Sequence, residues 1–422
     1  MSTGIATCVG VKEVRIGLLG CGGVGQAIVQ AADTSRARLA EAGVDLHCVV
    51  ALVRDLERPR AVSSVRLTTD PLHWRQHECD VVVEVLGGIE PARTLVAGAL
   101  SAGIPVVTAN KSLVAAHGVE LQALAALHGT ALYFEASVLA GVPCVNTLAR
   151  RPLASGGGAW AGIVNGTSHF IVSEMARGRS FEDSLTEAVA LGYAEPSSDA
   201  DISGRDAAEK LTILLHLAGH TDIVVADLPR RSISELEPWH LGLAHRLGGV
   251  IKPVALADTG ADPGAWVGPA FVPNAHPFAH VRGVTNILSV GRGDSAVLFS
   301  GPGAGPAVTA ATVIDDVVEA ASACGPRTLT ATEIAAPRAS ALRTPQTGPW
   351  FLTLDYVTST RGELAEFLAA NHLPAVSISD DGSRVGLITA PATHRVLLSA
   401  VDALESTGVS AEWWPALEVA HV

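Results

Sequence analysis

Lysine is nearly absent from this 422-residue chain: of 29 basic residues only Lys12, Lys111, Lys210 and Lys252 are lysines, against 42 acids and a net charge of -13. So acidic a chain lacks the clustered cations that displace counterions from phosphates, which excludes nucleic acid and an anionic membrane surface as partners. Where ammonium groups are this rare, each marks a position to be explained. The six cysteines (Cys8, Cys21, Cys48, Cys79, Cys144, Cys324) form no CxxC pair, no zinc-ligand spacing and no disulfide framework, so a reducing cytoplasm is expected. The opening MSTGIATCVGVKEVRIG lacks the basic segment and apolar run of a signal peptide, and the long uncharged stretches are broken by glycine, proline or polar groups, so no membrane span is expected.

What is present is a folded composition, 48% hydrophobic and 17% charged, long enough for two or three domains. Residues 14–19 are an apolar run leading into Gly20-Cys21-Gly22-Gly23-Val24-Gly25 and then a helical stretch. A GxGxxG that follows a strand and opens a helix is the dinucleotide fingerprint: its glycines admit a pyrophosphate, which the helix N-terminus stabilises. A second strand, residues 47–53, ends in Arg54-Asp55, where a carboxylate would read the ribose of NAD and an arginine would accept the 2′-phosphate of NADP. Strands at 80–86 and 104–108 with a helix between them extend the alternation, so a parallel Rossmann sheet is expected over residues 1–132. A glycine-rich run, Gly301-Pro302-Gly303-Ala304-Gly305, leads into a helix at 308–323. Beyond residue 345 the order strand, helix, strand, strand, helix, strand predicts a small ferredoxin-like domain.

Two segments carry chemistry. Ser203 and Asp206 have the spacing of a capping box, so a helix is expected to begin there, with Asp206 and Lys210 four apart on one face. Glu195, Asp199 and Asp201 precede it, and one of the four lysines closes this acidic run. The second segment is Thr108-Ala109-Asn110-Lys111, at the C-terminal edge of the parallel sheet, where substrates meet a nicotinamide. An ammonium there can polarise a carbonyl and pass a proton to its oxygen.

Six ordered motifs then resemble the homoserine dehydrogenase family over nearly the whole chain: GLLGCGGVG, TANKSLVA, residues 134–143, Asn165-Gly166-Thr167, GYAE followed by D-I-x-G-x-D-x-x-x-K, and GPGAG. The resemblance implies interconversion of aspartate 4-semialdehyde and L-homoserine with NADP or NAD, in threonine and methionine biosynthesis, by a homodimer or homotetramer. It implies an α/β chain with a Rossmann domain completed by about residues 300–335, a catalytic and dimerisation domain over 133–299, and an ACT-like domain over 345–422. By this resemblance Lys111 is the proton-transfer lysine and Lys210 its partner at the substrate oxygen or carboxylate. Glu195 and Asp206 hold the substrate ammonium, with Asp201, Tyr193 and Gly192 in the same pocket. Gly20, Gly22, Gly23, Val24, Gly25, Arg54, Asn110, Lys111, Gly301 and Gly303 bind the cofactor. Glu135 with the carbonyls of Val138, Ala140 and Val142 corresponds to a sodium site.

The sequence departs from the family at Ser197-Ser198, where Asp-Pro is usual, at His169, where Asn is usual, and at Leu139, where a small residue is usual. In the last domain Ser359-Thr360-Arg361-Gly362 replaces the Asp-x-Pro-Gly turn of an ACT effector site. Two further readings follow from these features: a related oxidoreductase acting on another amino-acid semialdehyde or hydroxy amino acid, and a non-catalytic amino-acid sensor. His73 and His77 are read as a solvated helix before a strand and not as a metal site, His276 and His280 likewise as no metal site, and Cys144 as an apolar filler.

Overall fold

The computed structural model describes residues 11–71, 78–151, 158–195, 197–260, 263–322, 344–345, 347–355 and 360–418. The chain divides into two compact units, the first comprising Met1–Arg150 and Ala304–Pro337, the second Arg151–Gly303 and Arg338–Val422.

Unit 1 is a six-stranded sheet of β1 (Lys12–Leu19), β2 (Val44–Leu52), β3 (Arg66–Thr68), β4 (Val81–Glu84), β5 (Val106–Thr108) and β6 (Leu132–Tyr133). All pairs are parallel, in the order β3-β2-β1-β4-β5-β6. Every residue of β4 and β5 is buried, as expected of strands covered by helices on both faces. The order reverses direction on either side of β1, and this switch point opens a crevice at the carboxyl ends of β1 and β4. The helix Pro306–Ala321 contributes Ala310, Val313, Ile314 and Val317 to the same core as Ile28 and Val29 of the first helix.

The boundary near residue 132 differs from expectation. The segment after β6 stays with unit 1 because Glu135 N–H donates to Asp316 at 3.1 Å and Asn146 Nδ2 donates to the other oxygen of Asp316 at 3.0 Å. Both anchors lie on parts of the chain 170 residues or more apart, which no local pattern encodes.

Unit 2 is built on an antiparallel sheet of β7 (Ala159–Ile163), β8 (Gly249–Asp258), β9 (Gly264–Pro273), β10 (Thr285–Val290) and β11 (Val297–Pro302), ordered β11-β10-β7-β8-β9. The helices Gly166–Met175 and Pro238–Arg246 pack on it through Ile171, Val172, Met175, Leu241 and Leu243. The C-terminal segment has β12 (Thr347–Gly348), β13 (Trp350–Asp355), β14 (Ala375–Asp380), β15 (Arg384–Thr389), β16 (Ala392–Thr393) and β17 (Ser410–Pro415). Its four-stranded antiparallel sheet runs β14-β15-β13-β17, with helices Arg361–Ala370 and His394–Glu405 as crossovers, which is the ferredoxin-like arrangement. It groups with unit 2 because Phe351 and Trp414 enter that core, stacked on each other at 5.6 Å, with Phe351 5.5 Å from Phe271 of β9. The Arg231 guanidinium joins the seam, donating to the Trp413 carbonyl at 2.7 Å. No described helix is long and apolar enough to cross a membrane.

Candidate active site

The glycine turn of unit 1 divides its labour. Gly20 has φ +105 and a Cβ there would lie 2.8 Å from the Val85 carbonyl oxygen, while a Cβ on Gly25 would lie 2.5 Å from the Gly20 oxygen. These two glycines are demanded by backbone packing. Gly22 is different: a Cβ there would meet nothing within 4 Å, so its openness leaves room for a ligand's phosphates at the helix N-terminus. Val24 is half-buried behind the turn, and Pro306, the first residue of the returning helix, approaches Gly23 to 3.8 Å of its Cβ position.

Arg54 is exposed just past β2. A second cation, Arg60, passed unnoticed in the sequence because it lies beyond the ribose-reading position. Its Nε donates to the Cys21 carbonyl at 3.1 Å and its Nη2 to the Asp55 carbonyl at 2.9 Å, which fixes a guanidinium against the glycine turn.

Lys111 opens the helix Lys111–Leu127, directly after β5. Its approach is held by Glu84, another residue that sequence reasoning missed, fully buried at the end of β4. Glu84 Oε2 accepts the Thr108 hydroxyl at 2.5 Å, and Oε1 accepts Asn110 Nδ2 at 3.3 Å and the Leu86 N–H at 2.7 Å. Asn110 also caps the helix, its Oδ1 accepting the Leu113 N–H at 3.2 Å. Burial raises the Glu84 carboxyl, and these hydrogen bonds oppose the rise. The available signal was an acid terminating the apolar strand DVVVEV, where a carboxylate needs partners to be tolerated.

In unit 2 the predicted acid–lysine set is brought together, although not by the expected cap. The helix Arg205–Leu217 has Gly204 as N-cap, at φ +75, with no side-chain cap. Asp206 instead turns its carboxylate inward: Oδ2 lies 2.9 Å from Lys210 Nζ and accepts Asn165 Nδ2 at 2.8 Å. Asn165 Nδ2 also donates to Asp201 Oδ1 at 2.6 Å, and its Oδ1 caps the next helix at the Ser168 N–H, 2.7 Å away. Lys210 donates a further hydrogen bond to the Val164 carbonyl at 2.7 Å. Asp206 is 3% exposed and Lys210 8%, so the pair is no solvated surface bridge; its energetics are those of buried charge, where each partner must be compensated.

The GYAE segment flanks this set. Thr167 Oγ1 donates to the Tyr193 carbonyl at 2.5 Å, and the exposed Tyr193 ring meets Phe170 edge-on at 5.1 Å. Gly192 takes φ +73 in the turn, and Glu195 is exposed, with its carbonyl accepting the Ser198 hydroxyl. Gly301 pairs with Asn286 across β11 and β10, and Gly303 is buried against the Asn286 side chain.

Three members of the sodium set, Glu135, Ala140 and Val142, have protein hydrogen-bond partners. Both oxygens of Glu135 accept backbone N–H groups, from Val145 at 2.8 Å and Asn146 at 2.6 Å. The Ala140 carbonyl accepts the Thr312 hydroxyl, and the Val142 carbonyl accepts the Cys144 N–H at 2.8 Å. Glu135 thus acts as the cap of a short helix, with Val138 buried beside it. Among the described residues no group of three or more His, Cys, Asp and Glu could hold a metal ion. His73 and His77 lie outside the described residues, and His276 caps a short turn by accepting the Phe278 N–H at 3.1 Å. Burial pushes the Cys144 thiol up, as befits a filler.

His169, the family departure, is fully buried and 2.9 Å from Lys252, which also donates to the Val281 carbonyl. Burial and the neighbouring ammonium push His169 down to about 3 from 6.5, and Lys252 is pushed down to about 8. A histidine held neutral in the fold binds its proton more readily once unfolded, so stability falls as pH drops from 6.5 towards 3. His169→Asn keeps an acceptor for Lys252 and is expected to lose less Tm between pH 7 and pH 5 than the wild type, as calorimetry can measure. An equal loss in both proteins would contradict this.

A glycine turn at the switch point of a parallel sheet and a lysine just past the carboxyl end of β5 in the same sheet mark an oxidoreductase that uses a nicotinamide dinucleotide. Residues 20–135 match the family model "Homoserine dehydrogenase, NAD binding domain" and residues 143–318 match "Homoserine dehydrogenase". The chain is 38% identical over 321 residues to a homoserine dehydrogenase of Mycobacterium tuberculosis (74% of this chain, 73% of the relative). It is 36% identical over 315 residues to that of Bacillus subtilis, covering 73% of each. A homoserine dehydrogenase structure from Thiobacillus denitrificans superposes with a TM-score of 0.85 at 31% identity, over 97% of this chain and 99% of that one. A hyperthermophilic archaeal homoserine dehydrogenase in complex with NADPH gives a TM-score of 0.60 at 26% identity, over 74% and 98%. The chain belongs to the homoserine dehydrogenase family.

Proposed function

We propose that this protein catalyses reversible hydride transfer between a nicotinamide cofactor and the aspartate 4-semialdehyde/L-homoserine pair. The observation that carries this reading is the buried Asn165–Asp206–Lys210 set with Asp201 beside it. An amino-acid substrate needs carboxylates for its ammonium and a cation for its carboxylate or reacting oxygen, and this set offers both in a desolvated setting.

Asp206, Asp201 and Glu195 bind the substrate ammonium, with Gly192 and Tyr193 shaping that side of the pocket. Lys210 binds the substrate oxygen or carboxylate. Lys111 gives a proton to the aldehyde oxygen during reduction and takes it back in the reverse direction. The nicotinamide supplies or accepts the hydride when bound. Gly20, Gly22, Gly23, Val24 and Gly25 accommodate its pyrophosphate, with Asn110, Gly301 and Gly303 as further contacts. Arg54 and Arg60 favour NADP. No step is assigned to sodium. The Rossmann part of unit 1 serves the nucleotide, the antiparallel part of unit 2 serves the substrate and a homodimer contact, and the ferredoxin-like sheet is an ACT-like module; the setting is cytoplasmic.

A steady-state assay pairing NADPH or NADH with aspartate 4-semialdehyde, and each oxidised cofactor with homoserine and its longer homologues, tests this. Turnover with homoserine preferred is expected. No turnover by folded protein would reject the activity, and preference for a longer hydroxy amino acid would replace the substrate. Arg60→Ala is expected to raise the KM for NADPH about 10-fold relative to that for NADH, the scale of one charge-assisted hydrogen bond. An unchanged ratio would leave Arg60 out of cofactor selection.

A further inference from the structure

Asn286 belongs to no motif, yet its side chain is wedged between two segments that the proposed function uses. It is the second residue of β10 and 1% exposed. Its Nδ2 donates to the Val164 carbonyl at 3.1 Å, the same oxygen that accepts Lys210 Nζ at 2.7 Å. A carbonyl oxygen has two lone pairs, so Asn286 and Lys210 together saturate it. Among the described residues its buried Oδ1 has no hydrogen-bond partner, so the Val164 bond and close packing are what orient the amide.

What holds it is the glycine segment. Asn286 pairs in register with Gly301, its backbone carbonyl accepts the Ser300 hydroxyl at 3.2 Å, and Gly303 is packed so closely that any Cβ there would overlap the Asn286 amide. Gly303 has an ordinary backbone φ, so conformational freedom does not explain the glycine; the Asn286 side chain does. Gly303, the Asn286 amide, the Val164 carbonyl and the Lys210 ammonium therefore form one contiguous chain of contacts.

We propose that Asn286 is a positioning residue for Lys210, acting through the shared Val164 carbonyl, and that Gly303 is glycine so that the segment it belongs to can press on Asn286. This rests on the role given to Lys210 above. With Asn286 removed, Val164 loses one of the two donors that set its orientation, and the ammonium that depends on that carbonyl is less well placed towards substrate.

The test is a double-mutant cycle in kcat/KM for homoserine at saturating cofactor, with thermal melts to confirm folding. Asn286→Ala is expected to lower kcat/KM about 10-fold, the scale of one hydrogen bond to a charged site. In a Lys210→Ala background the same change should cost less than about twofold, because its route of action is already gone. Asn286→Ser, smaller and still polar, provides the same comparison if the alanine variant folds poorly. Gly303→Ala should reproduce the loss alone and add little to Asn286→Ala; an effect on cofactor binding would instead persist in both backgrounds. If Lys210→Ala leaves activity unchanged, the reading of Lys210 fails and the proposal with it. If Lys210→Ala is impaired while Asn286→Ala is silent or additive, the proposal alone is overturned.

Discussion

Lys111→Ala is expected to lower kcat by about 10²-fold or more, the usual loss when a positioned acid–base group is removed. The side chain follows the β5 edge, and the backbone that carries it is tied to Glu84 through Thr108 and Asn110. The links of that network to Glu84 run through Thr108 and Asn110, and Asn110 also caps the helix at Leu113. Thermal melts and an NADPH titration run beside the kinetics separate the loss in the chemical step from any loss of fold or of cofactor affinity. Single-turnover measurement at saturating cofactor and substrate separates this from product release. An unchanged rate constant would remove Lys111 as the proton donor.

Asp206→Ala should have the other large effect, on binding and on stability together. Removing this carboxylate leaves Lys210 buried beside a single carbonyl and frees Asn165 Nδ2 from one of its two acceptors. Breaking one side of a buried ion pair costs about 3–5 kcal/mol, which should appear as a clear fall in Tm. The KM for homoserine should rise by about 10²-fold, as three carboxylates for the substrate ammonium become two and the one paired with Lys210 is lost. Asp206→Asn is the informative companion, since it keeps the shape and loses the charge. If both variants melt and bind like the wild type, Asp206 is neither the anchor of this helix nor a substrate ligand.

These cases show where sequence reading reaches and where it stops. The strand, glycine turn and helix of residues 12–34 are local: apolar runs, a GxGxxG and a helix start are written in consecutive residues. The C-terminal pattern was equally legible, because the expected order strand, helix, strand, strand, helix, strand is carried by consecutive local runs such as Trp350–Asp355, Arg361–Ala370 and Arg384–Thr389. The capping box at Ser203 was legible and wrong, because the Asp206 carboxylate gains more from Lys210 and Asn165 than from a backbone N–H at a helix end. The partners of Glu84, Arg60 and Asn286 were illegible for a shared reason: each acts on a residue 24 or more positions away, so even the acid that ends the strand of Glu84 does not announce which groups will satisfy it.

The sequence by itself determined the class of each half, the dinucleotide turn, the lysines worth explaining and the acids beside them, since all of these reside in short stretches with a definite period or spacing. Only the tertiary structure decided that residues 133–150 stay with the first unit, that His169 pairs with Lys252 in the interior, and that one carbonyl is shared by Asn286 and Lys210. Each of those outcomes depends on desolvation, and what water is excluded from is settled by which distant segments pack together.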